Sequence, residues 1–477
     1  MKTRVKNFLL LPVLLAALGL LPARPAAAQT FTTLHSFTNN PDGATPVAGL
    51  VLSGNTLYGT TAGGGNAGNG TVFAVNTNGL GYTNLYRFTG GSDGATPRDG
   101  LILSGNTLYG TTQYGGTNGN GAIFSLNTNG TGFVKLYSFT AYTGFFPSVN
   151  SDGANPYAGL ILSGSTLYGT AFNGGTNGFG TVFAINTDGT GFTNIYNFTA
   201  GNNGTVPHDG GAPFGGVILL GNTLYGTTQG GGLGSGVVFS VKTNGAGIDP
   251  LHVFTSPPSD GQLPEAGLVS SGNTLYGTAF GGGRSSEGML FAVNTDGLGY
   301  TNLYSFTAVN PSTGTNIDGT GPSAGLILSG GTLYGTAKYD GYLRDGTVFA
   351  VSTNGTAFTN LYNFSGGSDG AYPMAGVILS GTTLYGTTSS GGSAGDGTVF
   401  SLSLLPGGAQ QLTIHLSGTN AVLTWSAGAT GYTLEFATNL VSPVVWNTNL
   451  PAPAVINGNN TVTNSISGSQ KFYRLSQ

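Results

Sequence analysis

Seven aspartates recur along the sequence at fixed positions and are the most prominent groups that could do chemistry. Each precedes a glycine, and a Leu-Tyr-Gly tyrosine follows 16 residues later in every copy. A ring of carboxylates would offer the oxygen ligands that Ca²⁺ prefers. An Asp before Gly can instead bond its own backbone in an Asx-turn, with the glycine supplying a positive φ. The aspartates are Asp42, Asp93, Asp152, Asp209, Asp260, Asp318 and Asp369.

The regular recurrence favours the structural role for these aspartates. A turn needs the residue in every copy, whereas a metal site needs several oxygens at one place, and the sequence has no local Asp-x-Asp-x-Asp cluster. We therefore expect no metal and no other cofactor. The tyrosines could be sugar-stacking platforms, but alternating aromatic residues on paired strands usually fill the space between sheets. They are Tyr58, Tyr109, Tyr168, Tyr225, Tyr276, Tyr334 and Tyr385.

No set of residues in the sequence indicates a catalytic site. His35 and His252 stand where other copies have a tyrosine, and neither a His-Glu-x-x-His nor a Gly-x-Ser-x-Gly motif is present. Four acids outside the repeat marks could pair as glycosidase carboxylates, although the sequence brings no two of them together. These acids are Asp99, Glu265, Glu287 and Asp345. The sequence leaves open whether the protein is an enzyme, and the lack of a catalytic motif favours a non-catalytic role.

The elements that must position these residues follow from the second copy, residues 93–139. Apolar and β-branched runs at 100–104, 107–112, 122–126 and 134–139 predict four strands. Gly105-Asn106 between the first two is a two-residue hairpin signal. No stretch has a helical period. Each copy therefore predicts a four-stranded antiparallel meander.

The repeat as a whole predicts a ring of such sheets. Inner strands that are apolar on both faces must be covered by neighbouring sheets, and stacked four-stranded sheets are the blades of a propeller. Residues 33–37 resemble a fourth strand without its copy, and 398–402 a third strand without its fourth. We predict an all-β, seven-bladed β-propeller over 31–404, whose last blade is closed by the N-terminal strand.

A family resemblance covers the same residues. Asp-Gly-x-x-Pro-x-x-Gly-Leu, Gly-x-Thr-Leu-Tyr-Gly-Thr and Gly-Thr-Val-Phe recur along 31–404. This pattern resembles the GloVer (Gloeo/Verruco) tandem repeat of exported bacterial proteins. The resemblance implies a secreted or surface location with varied C-terminal modules. It implies no established activity and no catalytic residues.

The regions outside the repeat predict export and a second domain. Residues 1–28 have a basic start, an apolar centre and a small-residue end, as in a signal peptide. Residues 405–410 are expected to be a linker. Residues 411–477 alternate as strands and resemble a fibronectin-III-like β-sandwich. We expect a monomer that is secreted, periplasmic or at the bacterial cell surface, with no transmembrane segment after signal removal.

Length variation suggests a binding face. Nearly all of it falls between a fourth strand and the next Asp-Gly, in the connections 140–151, 199–208 and 307–317. With only 6% charged residues and no basic patch, a neutral glycan or a protein is the expected partner and nucleic acid is not. An enzyme acting on extracellular polysaccharide and a structural surface-layer component remain alternatives. The predicted ligand-binding residues are Tyr142, Phe145, Phe146, Asn202, Asn203, His208, Asn310 and Asn316.

Overall fold

The computed structural model of the protein describes residues 29–143, 148–199, 209–231, 233–255, 257–406, 412–417, 420–426, 433–438, 444–448, 450–456, 459–465 and 471–476. The chain divides into two compact units, residues 31–404 and residues 405–477 together with 1–30. The expected signal peptide 1–28 lies outside the described residues. In the described part of the chain, no helix is long and apolar enough to cross a membrane.

The described residues of the larger unit form seven four-stranded sheets, numbered here in chain order of their first strands. The first strands are Val51–Ser53, Ile102–Ser104, Ile161–Ser163, Ile218–Leu220, Val269–Ser271, Ile327–Ser329 and Ile378–Ser380. The second strands are Thr56–Thr61, Thr107–Thr112, Thr166–Ala171, Thr223–Thr228, Thr274–Ala279, Thr332–Ala337 and Thr383–Thr388. The third strands are Thr71–Asn76, Ala122–Asn127, Thr181–Asn186, Val237–Lys242, Met289–Asn294, Thr347–Ser352 and Thr398–Pro406.

The fourth strand of sheet 7 comes from the start of the chain. In sheets 1 to 6 the fourth strands are Thr83–Arg87, Val134–Ser138, Thr193–Asn197, Ile248–Val253, Thr301–Ser305 and Thr359–Asn363. In sheet 7 this place is taken by Gln29–Ser36, which pairs with Thr398–Pro406. A two-stranded ribbon, Gly261–Gln262 with Gly281–Gly282, accompanies sheet 5. The N-terminal strand thus supplies the strand that the seventh copy lacks.

The second copy shows why these residues form strands. Thr107–Thr112 pairs antiparallel with Ala122–Asn127 along its whole length, and the β-branched and aromatic side chains suit a pleated, buried surface. Gly105 has a φ of 57°, as the first position of a type II′ hairpin turn requires. A Cβ on Gly110 would lie 2.6 Å from Cζ of Phe124. The Leu-Tyr-Gly glycine therefore makes room for the phenylalanine ring on the neighbouring strand.

The core lies between neighbouring sheets. The phenylalanine of Leu-Tyr-x-Phe and its equivalents is completely or almost completely buried in every copy: Phe37, Phe88, Phe139, Phe198, Phe254, Phe306 and Phe364. Phe88, for example, packs with Val72 of sheet 1 and Leu101 of sheet 2. Phe37 packs in the same way with Val399 of sheet 7 and Leu57 of sheet 1. The apolar contacts between sheets 7 and 1 therefore repeat those between consecutive sheets.

Hydrogen bonds link consecutive copies in the same manner. Thr111 Oγ1 donates to the carbonyl of Ala158 at 3.0 Å, and Thr387 Oγ1 donates to the carbonyl of Ala48 at 3.0 Å. The other five copies form equivalent bonds: Thr60–Asp99, Thr170–Gly215, Thr227–Ala266, Thr278–Ala324 and Thr336–Ala375. Each bond ties an inner strand to the next copy, and the seventh copy is tied to the first.

The smaller unit is also formed by strands. The described strands are Thr413–Ser417, Asn420–Ser426, Thr433–Ala437, Ala454–Ile456, Asn459–Ser465 and Phe472–Ser476, in one four-stranded and one two-stranded sheet. Trp425 is buried with Leu423, Leu434 and Val462. In the larger unit, the last strand continues through Pro406. It therefore extends two residues into the segment 405–410 that the sequence predicts as a linker.

Candidate functional site

The seven repeat aspartates bind polar groups near the end of the preceding fourth strand. Asp318 accepts hydrogen bonds from the Tyr304 hydroxyl at 2.7 Å and from the Thr307 backbone N–H and hydroxyl at 2.9 and 2.5 Å. In all seven copies a Thr or Ser N–H donates to the carboxylate: Thr38, Thr89, Thr140, Thr199, Thr255, Thr307 and Ser365. We call each such set an Asp latch. It joins the outer strand of one sheet to the start of the next copy.

The latch differs from the predicted Asx-turn because the donors precede the aspartate in the chain. The glycine after the aspartate has the expected positive φ in six copies, for example 106° at Gly94. Asp152, Asp209 and Asp318 are almost fully buried, so the latch bonds supply the partners that a buried carboxylate needs. Among the described residues, no group of three or more His, Cys, Asp or Glu side chains is placed to hold a metal ion.

The Leu-Tyr-Gly tyrosines pack between sheets. Tyr58, Tyr225, Tyr276 and Tyr385 are buried in the clusters that join their own sheet to a neighbour. Tyr109, Tyr168 and Tyr334 are partly buried against equivalent clusters. These contacts explain the seven tyrosines as packing residues.

Two latches contain histidine in place of tyrosine. His35 Nε2 lies 3.0 Å from Asp42 Oδ2, and His252 Nε2 lies 3.0 Å from Asp260 Oδ2. In both cases Nε2 donates, because an ionised carboxylate only accepts. Burial lowers the pKa of His35. Burial also favours a higher pKa for Asp260, but the hydrogen bonds from His252, Tyr300 and Thr255 outweigh it and lower that pKa.

The residue that stacks on the latch ring differs between the latches with histidine and the latches with tyrosine. His35 stacks on Tyr82 at 3.7 Å and His252 on Tyr300 at 3.4 Å between ring centroids. Four latch tyrosines stack instead on phenylalanines, in the pairs Tyr86–Phe133, Tyr137–Phe192, Tyr304–Phe358 and Tyr362–Phe31. Tyr300 donates to Asp260 Oδ1 at 2.6 Å, and Tyr82 donates to the Asp42 carbonyl at 2.5 Å. In both latches that contain histidine, the tyrosine stacked on the histidine therefore donates a hydrogen bond to the same aspartate residue.

The predicted loop residues take several roles. Tyr142 is half-buried, donates to Asn155 Oδ1 at 3.0 Å, and has its pKa raised by burial to about 12. Asn310 is exposed, and its side-chain oxygen accepts from the Ser312 N–H at 2.9 Å within the same loop. The other predicted residues, Phe145, Phe146, Asn202, Asn203 and His208, lie outside the described residues.

Asn316 is a structural brace in its loop. Its side chain is buried and bonds the carbonyls of Thr307 and Gly319 and the N–H groups of Gly319 and Gly341. Asn150 makes the equivalent bonds in the first long connection. In the short connection of copy 2, the Gly91 carbonyl accepts the matching bonds, from the Gly94 and Gly116 N–H groups. The amide oxygen therefore replaces a peptide carbonyl where the connection is long, and Asn316, predicted as a ligand-binding residue, has a structural role in this loop.

A cavity of about 370 Å³ is lined by matching residues of all seven copies. Its floor includes the glycines Gly49, Gly100, Gly159, Gly216, Gly267, Gly325 and Gly376. A Cβ on each would lie 2.6–3.8 Å from the carbonyl oxygen of the matching glycine in the preceding copy, and Gly49 has Gly376 as that neighbour. At Gly376 the distance of 2.6 Å leaves no room for a Cβ, whereas at Gly49 and Gly325 a Cβ would be in ordinary van der Waals contact. The volume lies within the range of small-ligand sites.

Seven different residue types line this cavity at one repeat position, directly after the invariant proline. We call them the mouth residues: Val47, Arg98, Tyr157, Phe214, Glu265, Ser323 and Met374. Because the proline before them and the glycine two positions after them are the same in every copy, the scaffold is constant and the side chain alone changes. This position therefore gives the cavity a different chemistry on each side.

The backbone that presents each mouth residue is held on both sides. The residue before the proline is left-handed in all copies, including Thr96 with a φ of 57° and Leu263 with 55°. The Thr96 N–H donates to the Asn69 carbonyl at 2.8 Å, and its own carbonyl accepts from the Gln113 N–H at 3.1 Å. A left-handed β-branched residue is strained. These two bonds, repeated in every copy, hold the strained loop and hence the mouth residue in place.

Arg98, Tyr157 and Phe214 form a stacked row along one side of the mouth. The Arg98 guanidinium lies 5.5 Å from the Tyr157 ring centroid, and Tyr157 stacks on Phe214 at 4.7 Å. Arg98 Nε donates to Gln113 Oε1 at 2.5 Å, and within the described residues its Nη groups make no hydrogen bond. Phe172 closes the row edge-on against Tyr157 at 5.0 Å. Phe172 also packs edge-on against Phe214 at 5.9 Å, and Arg98, Tyr157 and Phe214 all line the cavity.

Two carboxylates also line the cavity. Asp99 accepts from the Gly100 and Gly159 N–H groups at 2.6 Å each, so it bridges two floor glycines. Glu265 Oε1 accepts from Gln229 Nε2 at 2.7 Å, while Oε2 has no hydrogen bond to the described residues. Burial raises the pKa of both carboxyls. Both oxygens of Asp99 thus accept from the backbone, whereas only one oxygen of Glu265 has a hydrogen bond within the described residues.

Sequence reasoning that followed length variation missed this position, because the mouth residues do not change the spacing of the repeat. The available signal was compositional: seven residue types at one site between an invariant proline and an invariant glycine. Two of the four unassigned acids, Asp99 and Glu265, meet at this cavity.

Comparison with solved structures gives distant similarities. An oligogalacturonate lyase in complex with manganese is 10% identical, covering 80% of this chain and 94% of that one, with a TM-score of 0.46. A chain of a nidogen/laminin complex is 17% identical, with 53% and 79% covered and a TM-score of 0.34. TolB from Acinetobacter baumannii is 12% identical, with 61% and 59% covered and a TM-score of 0.34.

Sequence comparison is more specific. No curated protein matches the sequence significantly. The family model described as the Gloeobacter/Verrucomicrobia repeat matches three successive stretches, residues 24–150, 145–317 and 311–433. Together these stretches span most of the chain and all seven copies. The chain therefore belongs to the Gloeobacter/Verrucomicrobia repeat family.

Proposed function

We propose that residues 31–404 form a closed seven-bladed β-propeller that binds a ligand at the mouth of its central cavity. Closure is supported by the pairing of Gln29–Ser36 with Thr398–Pro406, by the Thr387–Ala48 hydrogen bond and by the approach of Gly49 to Gly376. A closed ring protects most of its strand edges and holds the mouth rigidly.

The observation that carries the binding role is the contrast at the mouth position. Seven copies keep the proline, the left-handed residue before it and the floor glycine, yet present seven different side chains to one cavity. A purely structural position would favour one residue type, as the latch and the Leu-Tyr-Gly positions do. In a chain with only 6% charged residues, Arg98, Asp99 and Glu265 all line this cavity.

The test is binding to immobilised glycans and peptides by the full chain and by a Tyr157→Ser/Phe214→Ser variant. The proposal predicts binding to at least one class of probe and its loss in the variant, with unchanged circular dichroism and melting. Shortening the connection 307–317 serves as the control on the loop surface. Binding that survives the double substitution would place the ligand elsewhere.

A polysaccharide-acting enzyme is a second candidate, supported by the presence of Asp99 and Glu265 at one cavity with pKa values raised by burial. A raised carboxyl pKa suits a general acid. Turnover of a polysaccharide that Glu265→Gln abolishes would favour this candidate. Binding without turnover would favour the first.

Export and the smaller unit complete the proposal. We place the protein outside the cytoplasm as a monomer, on the basis of the signal-like residues 1–28. Residues 411–477 are proposed to be a fibronectin-III-like module, supported by the buried Trp425 and the two small sheets. The partner is a glycan or a protein, held without a cofactor.

A further inference from the structure

We infer that the mouth binds a neutral sugar ring, stacked on Phe214 and bracketed by Glu265 and Arg98; this inference rests on the proposed ligand-binding function. The three residues belong to copies 4, 5 and 2, and all line the same cavity. They supply an aromatic face, a hydrogen-bond acceptor and hydrogen-bond donors, which are the groups that a polyhydroxylated ring needs.

The aromatic platform is Phe214. One face of its ring stacks on Tyr157. Arg98 lies over the ring of Tyr157, so Tyr157 and Arg98 support Phe214 from behind. Phe172 packs edge-on against Phe214 at 5.9 Å between ring centroids, and Phe214 is only partly buried and lines the cavity. Phe214 can therefore stack on the apolar face of a sugar, as aromatic rings do with flat apolar surfaces.

The polar groups favour a ligand that both donates and accepts. Glu265 Oε2 accepts, and the Arg98 Nη groups donate; none of them has a hydrogen bond within the described residues. Neither side chain forms an ion pair with a described residue, since the ion pairs among these are His35–Asp42, His252–Asp260 and Arg474–Glu435. Unpaired, partly buried charges gain from a hydrogen-bonding partner.

The charge around the cavity selects against an ionic ligand. Arg98 is positively charged, whereas Asp99 and Glu265 are acidic, and all three line the cavity. A cationic ligand that suits Glu265 would meet Arg98, and an anionic ligand that suits Arg98 would meet both carboxylates. A hydroxyl accepts from Arg98 and donates to Glu265, so it satisfies both signs.

The experiment is calorimetric titration of the full chain with neutral cello-, xylo-, manno- and malto-hexaose, with oligogalacturonate as the anionic probe and chitosan oligomers as the cationic probe. At least one neutral oligosaccharide is expected to bind more tightly than both charged probes. Phe214→Ala should weaken that binding by about tenfold or more, as expected for a lost stacking contact. Leu298→Ala, at an exposed residue that does not line the cavity, is the matched control and should change it by less than about twofold.

The outcomes separate this inference from the proposed function. If only a charged probe binds and Phe214→Ala weakens it, the neutral-sugar inference is overturned while binding at the mouth stands. If a neutral probe binds equally well to wild type and Phe214→Ala, and Glu265→Gln is also unchanged, both fail. If no oligosaccharide in the panel binds at millimolar concentration, the inference is overturned. The melting temperature of each variant shows that the fold is intact.

Discussion

The Asp latch and the cavity mouth both occur once in each repeat. The side chains of the latch are nearly constant among the copies, whereas those of the mouth differ in every copy. In the latch, seven aspartates accept a backbone N–H from Thr or Ser at the same place, and substitution is limited to the His35 and His252 copies. At the mouth, an equally constant backbone carries seven different side chains. In the latch, hydrogen-bonded aspartates join neighbouring sheets. At the mouth, side chains that vary on a constant backbone are suited to recognising a ligand.

Among the proposed variants, removal of the strand that completes sheet 7 should have the largest effect on stability. Deletion of residues 31–40 removes Leu34 and Phe37 from the core between sheets 7 and 1 and exposes Thr398–Pro406 as an unpaired edge. We expect loss of cooperative melting, or aggregation, in scanning calorimetry. A circular permutant that carries this segment after residue 404 is the control and should melt cooperatively. An unchanged transition in the deletion variant would refute ring closure.

Breaking one latch should cost less stability than removing the N-terminal strand but more than any change at the mouth. Asp318→Ala leaves the Tyr304 hydroxyl and the Thr307 N–H and hydroxyl without their acceptor. We expect a loss of roughly 3 kcal/mol in the free energy of unfolding by denaturant titration, because unsatisfied buried donors are costly. Met374→Ala at the mouth should cost less than about 1 kcal/mol. Equal losses would show that latch and mouth are not distinct.

Exchanging a histidine latch for a tyrosine latch should reveal coupling across the sheet interface. His35→Tyr and Tyr82→Phe convert the pair into the combination found at Tyr86 and Phe133. The double variant should be more stable than the sum of the single effects predicts, by about 1 kcal/mol, since contacting residues couple. Additive effects in the double-mutant cycle would contradict the paired exchange.

The same variant should change the pH dependence of stability. The folded state lowers the pKa of His35 below its ordinary value of 6.5, so the unfolded chain binds the proton more readily. The contribution of His35 is therefore fully present above pH 6.5 and decreases as the pH falls through that value. Melting measured between pH 7.5 and 5.5 should show a smaller decrease in the double variant than in the wild type. An equal or larger decrease would assign the acid sensitivity to other groups.

The smallest predicted effect concerns the left-handed residue before the invariant proline, whose backbone positions the mouth residue. Thr96→Gly removes a β-branched residue from a left-handed conformation. Relief of strain of about 1–2 kcal/mol is partly offset by the entropy of glycine, so we expect a gain of up to about 1 kcal/mol in thermal unfolding. In copy 6 the equivalent residue is already a glycine, and Gly321→Ala should destabilise the protein because alanine disfavours the left-handed conformation. The added Cβ would also lie 2.9 Å from Phe280. A destabilised Thr96→Gly would show that this residue is not strained.

Much of the fold could be predicted because the same strand pattern occurs in seven copies of the repeat. The second strand of copy 2 was predicted at the observed bounds, and the orphan N-terminal strand was assigned to the seventh sheet. That strand begins at Gln29 rather than at residue 33, because Phe31 stacks on Tyr362 and extends the pairing. The first strand is shorter than predicted, since Gly100 and Leu101 lie at the cavity floor and wall instead.

The candidate site was less predictable for a physical reason. Loop length is visible in a sequence, but the convergence of Arg98, Phe214 and Glu265 depends on the arrangement of separate copies around one cavity. Asn316 was predicted as a ligand contact because it is an amide in a long loop, and in the structure its side chain takes the place of a peptide group. Its position two residues before the aspartate, shared with Asn150, was the available signal.

The most direct test of the account is to measure stability and binding together in two variants, Asp318→Ala for the latch and Tyr157→Ser/Phe214→Ser for the mouth. We expect the latch variant to melt at a lower temperature but, at a temperature where it is folded, to retain the oligosaccharide affinity of the wild type. We expect the mouth variant to melt like the wild type and to lose binding. A mouth variant that keeps its affinity, or a folded latch variant that loses it, would contradict the division of roles between latch and mouth.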